Sequence, residues 1–278
     1  SETSDYAIMD AFKEPSFMKK PKRIVIKVGT ATLCRANNTL NLRRIDRLAR
    51  VISDLKNEGL DVVLVSSGAI GAGVSRLGLS ARPEKIEEKQ AAAAIGQCEL
   101  MSIYDRFFQD YGYMSAQVLV TKDVTEQKTG RRNVIATLNT LLKMHAVPIV
   151  NENDTVATEE IVYGDNDTLS AVIAQFVKAD LLIILSDIDG LYDKDPSQYR
   201  DARMIHVVRR IDRRIEAMAK GSHTGLGTGG MITKLHAAKI AAETGIPCVI
   251  ASGDDPEIVY EILDGKERGT RFLPGTGE

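Results

Sequence analysis

Lys27 interrupts an apolar run over residues 23–28 that is rich in β-branched side chains and is followed by Gly29. Such a run predicts a buried parallel strand that ends in a turn. A buried strand rarely carries lysine unless the ammonium group meets an anion. At the carboxyl end of a strand, Lys27 would project into the crevice where open α/β sheets bind ligands, and Gly29 would let a ligand approach the backbone. The alternative is a strand-end lysine whose ammonium group reaches solvent.

A second lysine, Lys234, falls in the first turn of a helix predicted from Met231 to Thr244. The glycine-rich run 225–231 matches the dinucleotide pattern G-x-G-x-x-G by letter, but no predicted strand leads into it, which makes that interpretation poor. A P-loop pattern is absent from the sequence. A cation is unfavourable at a helix N-terminus, so we expect an anion such as a phosphate chain to offset it together with the backbone amides. The alternative is a surface loop with a solvated lysine.

Lys27 and Lys234, together with the glycine turns, predict a site for a triphosphate. Phosphoryl transfer depends on positioning and charge neutralisation more than on groups that make or break bonds. Asp167 between the two ammonium groups would hold both in place. We expect Mg²⁺ to be carried largely by phosphate oxygens, so the sequence predicts no protein metal ligand.

Polar residues in three segments suggest the acceptor. Asn151, Asp154, Asp165 and Asn166, with Ser67, could bind a small zwitterion. The Asp154 carboxylate suits an α-ammonium group, whereas the amides and the hydroxyl suit a carboxylate. A carboxylate acceptor is ionised near neutral pH and requires no general base, and the four histidines stand outside these motifs.

These segments also have a purely structural interpretation. Ser67 follows the predicted strand 61–65 in a stretch with two serines and three glycines, which presents N–H groups and a hydroxyl to an anion or simply caps the next helix. Asn166 or Asp167 could likewise be the N-cap of the helix predicted over residues 169–177. One cap needs one residue, however, whereas this region supplies several acids and amides.

Composition limits the class of function. Hydrophobic residues make up 44% of the 278 residues and the net charge is −2, so no global field favours nucleic acid or an anionic membrane. Three distant cysteines without a C-x-x-C pair indicate free thiols in a reducing compartment, and hence a cytoplasmic location. The apolar runs are too short to span a bilayer, and the first twenty residues lack the apolar region of a secretory signal.

Strand and helix patterns alternate along the whole chain. This order predicts an α/β fold, a three-layer αβα sandwich around a mostly parallel central sheet. We predict an N-terminal tail over residues 1–21 and a single domain over residues 22–274. Within that domain an amino-acid-binding lobe would run to about residue 178 and a nucleotide-binding lobe would follow it.

Six motifs, in this order, resemble the amino acid kinase family, and within it the members that phosphorylate glutamate. They are Lys27-Val28-Gly29-Thr30, Val65-Ser66-Ser67-Gly68-Ala69-Ile70-Gly71-Ala72-Gly73, Asn151-Glu152-Asn153-Asp154, Gly164-Asp165-Asn166-Asp167, Ser186-Asp187-x-Asp189-Gly190-Leu191-Tyr192 and Gly227-Thr228-Gly229-Gly230-Met231-x-Thr233-Lys234. The resemblance covers residues 22–273. It implies ATP-dependent phosphorylation of the γ-carboxylate of L-glutamate to L-glutamyl 5-phosphate, the first step of proline biosynthesis.

The resemblance also implies roles for individual residues. Lys27, Lys234 and Asp167 would be catalytic, with Asp167 organising the lysines. ATP would contact Lys27, Gly29, Ser186, Asp187, Thr228, Gly229, Gly230, Met231, Ile232, Thr233 and Lys234. Glutamate would contact Ser67, Gly68, Asn151, Asp154, Asp165 and Asn166. Ser186 stands where threonine is commoner in the family, a change that keeps the hydroxyl.

The family further implies feedback inhibition by proline, assembly as a dimer or tetramer, and a glutamyl-phosphate reductase as functional partner. We expect no C-terminal RNA-binding-like domain, no nucleic-acid partner and no membrane partner. Within the fold, aspartate, N-acetylglutamate, carbamate or UMP are alternative acceptors. Asp154 argues against two of them, because it would repel a phosphate-bearing acceptor and would find no ammonium group on an acetylated one. A non-catalytic nucleotide-binding regulator is the alternative from a different class.

Overall fold

The computed structural model describes residues 20–35, 39–156, 166–221 and 230–275, so the predicted N-terminal tail lies almost wholly outside the described residues. Strands and helices alternate through these residues. The strands are β1 (Arg23–Val28), β2 (Asp61–Ser66), β3 (Ser115–Val120), β4 (Val147–Glu152), β5 (Leu181–Ser186), β6 (Leu191–Tyr192), β7 (Met204–Ile205), β8 (Val207–Val208), β9 (Cys248–Ser252) and β10 (Thr270–Phe272). The helices are α1 (Thr30–Leu33), α2 (Leu42–Asn57), α3 (Ala69–Arg76), α4 (Ile86–Asp110), α5 (Lys122–Glu126), α6 (Lys128–Lys143), α7 (Asn166–Val177), α8 (Arg213–Gly221), α9 (Met231–Glu243) and α10 (Ile258–Leu263).

Eight strands form one sheet in the order β3-β4-β2-β1-β5-β9-β10-β8. The first six run parallel to their neighbours, whereas β10 is antiparallel to β9. Strands β6 and β7 form a separate antiparallel pair. The predicted mostly parallel sheet is confirmed, and β1 lies in its middle, where the direction of strand addition reverses.

Helices cover both faces of the sheet, which confirms the three-layer sandwich. Strand side chains alternate between the faces, so Ile24 and Ile26 of β1 pack into one hydrophobic cluster and Val25 into the other. The cluster around Ile24 also contains side chains of α2 and α4, and the cluster around Val25 contains side chains of α6, α7 and α9. Lys27 follows Val25 by two residues and therefore points to the face that α7 and α9 cover.

The sequence pattern over residues 83–111 predicts a long helical segment of one or two helices, and the structure has the single helix α4 there. Two glycines let it approach α3 closely. A Cβ atom on Gly96 would lie 1.7 Å from the Ala69 carbonyl oxygen, and one on Gly73 would lie 1.8 Å from the Ala92 carbonyl oxygen. Neither position tolerates a side chain, so this contact fixes how α4 lies over the edge of the sheet.

The short strands differ from the sequence pattern. The pattern predicts one short strand around residues 205–208, whereas the structure has two, β7 and β8; it predicts no strand at β10. Segments of two or three residues are too short to show periodicity, and only their pairing partners identify them. Among the described residues, no helix combines the length and the hydrophobicity that crossing a bilayer requires.

Candidate active site

The carboxyl ends of the parallel strands meet at one edge of the sheet, and the polar residues that follow them lie along that edge. Lys27 and Gly29 come from the end of β1, Ser67 follows β2, and Asn151 lies near the end of β4. Ser186 ends β5, directly beside β1 in the sheet. The first turn of α7 contributes Asn166 and Asp167, and the first turn of α9 contributes Thr233 and Lys234.

Lys27, Asp167 and Lys234 form a buried charged cluster. The Lys27 Nζ atom lies 2.6 Å from Asp167 Oδ1, and the Lys234 Nζ atom lies 3.1 Å from Asp167 Oδ2. The Thr233 hydroxyl donates a further hydrogen bond of 2.9 Å to Asp167 Oδ2. The side chains of both lysines are only 3% exposed and that of Asp167 is 0% exposed. The interpretation of either lysine as a solvated surface residue is therefore wrong.

Packing of the helices explains why the charged cluster forms. Lys27 shares its face of the sheet with Val25, and that face is covered by α7 and α9. On α9, Lys234 lies on the same side as Met231 and Ala238, three and four residues away, which are both buried in the core. The buried faces of α7 and α9 therefore place the Asp167 carboxylate against Lys27 and the Lys234 ammonium group against the same carboxylate.

A network of side-chain amides lies beside the charged cluster. The Asn166 Nδ2 group donates to Ser67 Oγ at 3.1 Å and to Asn151 Oδ1 at 2.7 Å. Asn151 Nδ2 donates to Gln97 Oε1 at 3.0 Å, and Gln97 Nε2 donates to Gln117 Oε1 at 3.0 Å. Consecutive residues of α7 therefore hold the two regions together, since Asn166 joins the amide network and Asp167 joins the lysines.

The turn after β2 shows that Ser67 is not the N-cap of the following helix. The N-cap of α3 is Gly68, which has a left-handed φ of 105° and no side chain that could cap the helix. A Cβ atom on Gly68 would also lie 3.2 Å from the Leu33 Cδ1 atom. The hydroxyl of Ser67 is instead directed to Asn166.

Asp154 lies two residues after the end of β4 in a partly buried position. Burial raises the pKa of its carboxyl to about 6, and the charge of Arg82 opposes that rise in pKa. In the part of the chain that the structure describes, no lysine, arginine or histidine nitrogen pairs with this carboxylate. A ligand ammonium group would compensate the lost hydration of the ionised form.

The predicted nucleotide-binding residues border the charged cluster from the side of β5. The Ser186 hydroxyl donates to Asp187 Oδ1 at 2.9 Å and accepts from the Ile188 N–H at 3.2 Å. A Cβ atom on Gly29 would lie 3.4 Å from Lys27 Nζ, so the turn after β1 packs directly against the ammonium group.

At the start of α9, Met231 is buried, whereas Ile232 is 53% exposed. Gly230 is the N-cap of α9 and has no side chain that could accept from the first N–H groups of this helix. These amides are therefore suited to an anion. Asp165, Thr228 and Gly229 lie outside the described residues, and so does most of the glycine run.

Three residues close to the site were not predicted from the sequence. Gln97 and Gln117 continue the amide network, and Arg82 acts on the pKa of Asp154. No short motif marks them. The one available signal was the small-residue stretch 91–96, which indicates that α4 packs closely near residue 97.

Comparisons with known proteins agree with this geometry. A profile of the amino acid kinase family matches residues 22–252. A glutamate 5-kinase of Clostridium perfringens is 52% identical over 265 residues, which cover 94% of this chain and 98% of that protein.

Two solved structures with the same fold are much more distant in sequence than this relative. Isopentenyl phosphate kinase superposes with a TM-score of 0.64 at 17% identity, covering 90% of this chain and 100% of that one. Carbamate kinase from Giardia lamblia bound to AMP-PNP gives 0.64 at 16% identity, covering 91% of this chain and 98% of that one. The chain therefore belongs to the amino acid kinase family, and within it to the glutamate 5-kinases.

Proposed function

We propose that this protein transfers the γ-phosphoryl group of ATP to the γ-carboxylate of L-glutamate and so forms L-glutamyl 5-phosphate, the first step of proline biosynthesis. The observation that carries this proposal is the joining of two unlike regions through Asn166 and Asp167. One region concentrates two ammonium groups around a carboxylate, which suits a polyphosphate. The other presents a hydroxyl and amides beside Asp154, which suits a free amino acid.

The charged cluster would act by positioning and by electrostatics. Charge spreads over the oxygens of the phosphoryl group in the transition state, and preorganised cations stabilise it without reorganisation. We assign this role to Lys27 and Lys234, and we assign to Asp167 the role of fixing the distance between them. Around them, the predicted nucleotide contacts are Gly29, Ser186, Asp187, Thr228, Gly229, Gly230, Met231, Ile232 and Thr233.

The acceptor is ionised at neutral pH, so the reaction requires no proton abstraction. We assign glutamate binding to Ser67, Gly68, Asn151, Asp154, Asp165 and Asn166. The carboxylate of Asp154 selects a free α-ammonium group, because N-acetylglutamate has none and the phosphate of UMP would be repelled. Acceptors other than glutamate are not favoured, since the curated relative at 52% identity is a glutamate 5-kinase.

We infer that Mg²⁺ enters with the nucleotide. Among the described residues, no group of three or more His, Cys, Asp and Glu side chains is placed to hold a metal ion. We expect phosphate oxygens to hold the ion, and among the predicted nucleotide contacts Asp187 carries the carboxylate that could join them. When bound, Mg²⁺ neutralises charge on the phosphates. The residues of the chain supply the orientation of the acceptor and the two fixed ammonium groups.

Further proposals concern the setting of the reaction. We propose a cytoplasmic enzyme that assembles as a dimer or tetramer, is inhibited by proline and passes its product to a glutamyl-phosphate reductase. An acyl phosphate hydrolyses readily, so its consumption by a reductase would have to follow promptly. We also retain the division into an amino-acid-binding lobe up to about residue 178 and a nucleotide-binding lobe after it.

One assay tests the reaction and the acceptor together. The protein is incubated with ATP, Mg²⁺ and hydroxylamine, and the hydroxamate formed from glutamate, aspartate and N-acetylglutamate is compared. We expect hydroxamate from glutamate alone, because hydroxylamine traps the acyl phosphate. Equal amounts from aspartate or N-acetylglutamate would overturn the acceptor, and no hydroxamate from any of them would overturn the kinase activity.

A further inference from the structure

The amide network described above extends well beyond the residues that can touch a ligand. It runs from Ser67 through Asn166, Asn151 and Gln97 to Gln117, which is exposed at the surface. Asn151, Asn166 and Gln97 are at most 9% exposed. Buried amides of this kind are costly unless they are hydrogen-bonded, so the orientation of each one depends on its neighbour.

The hydrogen bonds of the network all point in a defined direction. Each amide nitrogen donates to the oxygen of the next amide outward, from Asn166 to Asn151, from Asn151 to Gln97 and from Gln97 to Gln117. The Asn166 Nδ2 group also donates to Ser67 Oγ, so both of its hydrogens are used within the protein.

This direction decides what the site offers to a ligand. Because Asn166 has used both donors inside the protein, its Oδ1 atom remains to accept a hydrogen bond, as an α-ammonium group requires. Ser67 Oγ already accepts from Asn166, so its own hydrogen is available for a carboxylate. The reverse direction would present an amide N–H of Asn166 in place of the acceptor and would turn the Ser67 hydrogen inward.

We propose that Gln97 is a positioning residue for amino-acid binding, which sets the donor and acceptor pattern of Asn166 and Ser67 through Asn151. This inference rests on the proposed function and identifies a residue outside the predicted substrate contacts. Gln97 lies on α4, whose position is fixed by the close contact of Gly96 and Gly73 with α3. Its Oε1 atom is the acceptor on which the direction of the network depends.

The test compares two substitutions at one position. Gln97→Met has nearly the same volume and removes the acceptor, whereas Gln97→Glu keeps an acceptor for Asn151 and cannot donate to it. We expect Gln97→Met to raise the KM for glutamate about 3- to 10-fold, the effect of one uncharged hydrogen bond, with the KM for ATP unchanged. Gln97→Glu at pH 8 should stay within about threefold of the wild-type glutamate KM, because it stabilises the observed direction.

Gln109→Met is the matched control. Gln109 lies on the same helix, is exposed, and donates to Asp105 on the surface. It should leave both KM values unchanged.

Each other outcome overturns the proposal. A Gln97→Met protein with a lower Tm and an unchanged glutamate KM would show that the network is only structural. A joint rise of both KM values would indicate general loosening of the site, and a larger rise in Gln97→Glu than in Gln97→Met would overturn the direction. Wild-type protein that forms no hydroxamate from glutamate would instead overturn the proposed function, so the two failures are distinguishable.

Discussion

The charged cluster and the amide network lie side by side and meet at α7, which carries both Asp167 and Asn166. Beyond α7 they extend to opposite faces of the sheet, and they rest on different kinds of interaction. Lys27, Asp167 and Lys234 meet on the face covered by α7 and α9, whereas Asn151 and Gln97 meet on the face covered by α4. The cluster depends on full charges in a medium where Coulomb interactions are strong. The network depends on neutral groups whose donors and acceptors can be exchanged by rotating an amide.

This difference indicates how each region would fail. Removing a charge from the cluster alters an interaction that burial makes large. Removing a side chain of the network costs one or two uncharged hydrogen bonds and frees the neighbouring amide to rotate. We therefore expect variants of the cluster to lose stability or turnover by large factors, and variants near the network to lose glutamate binding by smaller ones.

The largest expected effect is that of Asp167→Ala, which removes the carboxylate that the two lysines share. Breaking a buried ion pair by deleting one partner costs about 3–5 kcal/mol of unfolding free energy, and the loss should be measurable by urea denaturation. Turnover should also fall, because the lysines lose their fixed separation. Asp189→Ala is the control, since Asp189 is exposed and its carboxylate accepts a surface hydrogen bond from Tyr192. If Asp167→Ala lost less unfolding free energy than the control variant, Asp167 would not be what holds the two lysines together.

The next effect is that of Lys27→Met and Lys234→Met on turnover. Each change removes one cation that faces the phosphates and leaves the other lysine paired with Asp167. We expect kcat to fall about 10²- to 10³-fold, with a smaller loss of stability than in Asp167→Ala. Lys239→Met on α9 is the control, because Lys239 is exposed and pairs with Glu216 at 3.5 Å. Near-normal kcat in both lysine variants would refute the phosphate assignment.

A smaller effect is expected of Asp154→Asn, which should make the protein without ligand more stable, in contrast to the variants of the charged cluster. Burial raises the pKa of Asp154 in the folded state to about 6, above its usual value. An acid with a raised folded pKa favours folding below its unfolded pKa, and this contribution is lost as pH rises through the folded pKa. At pH 8 the Asn variant should therefore unfold at a higher temperature than the wild type without ligand.

The same substitution should weaken glutamate binding. Loss of a charged hydrogen bond to the α-ammonium group should raise the glutamate KM about 10- to 100-fold. In the wild type, kcat/KM for glutamate should fall about tenfold per unit as pH drops below about 6, because protonation of Asp154 removes its charge. The variant should lose this dependence. An unchanged glutamate KM would place the ammonium site elsewhere.

The smallest effect is expected of Arg82→Gln. The charge of Arg82 lowers the pKa of Asp154 against the effect of burial, so its removal should raise that pKa further. The acid limb of the kcat/KM profile for glutamate should then shift to higher pH, while kcat with saturating substrates stays unchanged. Arg106→Gln, an exposed arginine on α4, should leave the profile in place. A shift to lower pH would contradict the inferred influence of Arg82 on Asp154.

The contrast between the two regions also explains why the sequence alone revealed residues of the charged cluster but not Gln97 of the amide network. A lysine inside an apolar strand is an anomaly that local sequence displays, and Lys27 was identified on that ground. Gln97 looks like any polar residue of an amphipathic helix, and in the sequence only the small-residue stretch 91–96 before it distinguishes it from the exposed Gln109. Its position became clear only when α4 was placed over β4 and its oxygen was found to accept from Asn151.

By itself, the sequence determined the alternation of strands and helices, the parallel sheet and the charged and polar residues at the ends of its strands, because these follow from local patterns of hydrophobicity and turns. The sequence predicted Asp167 between the two lysines, but only the tertiary structure established that contact. It alone decided that Ser67 is not a cap and that Gln97 belongs to the amide network. Those facts depend on contacts between residues 15 to 140 positions apart, which local periodicity does not encode. Those contacts arise when the helices pack on the sheet, because packing decides which polar side chains face one another.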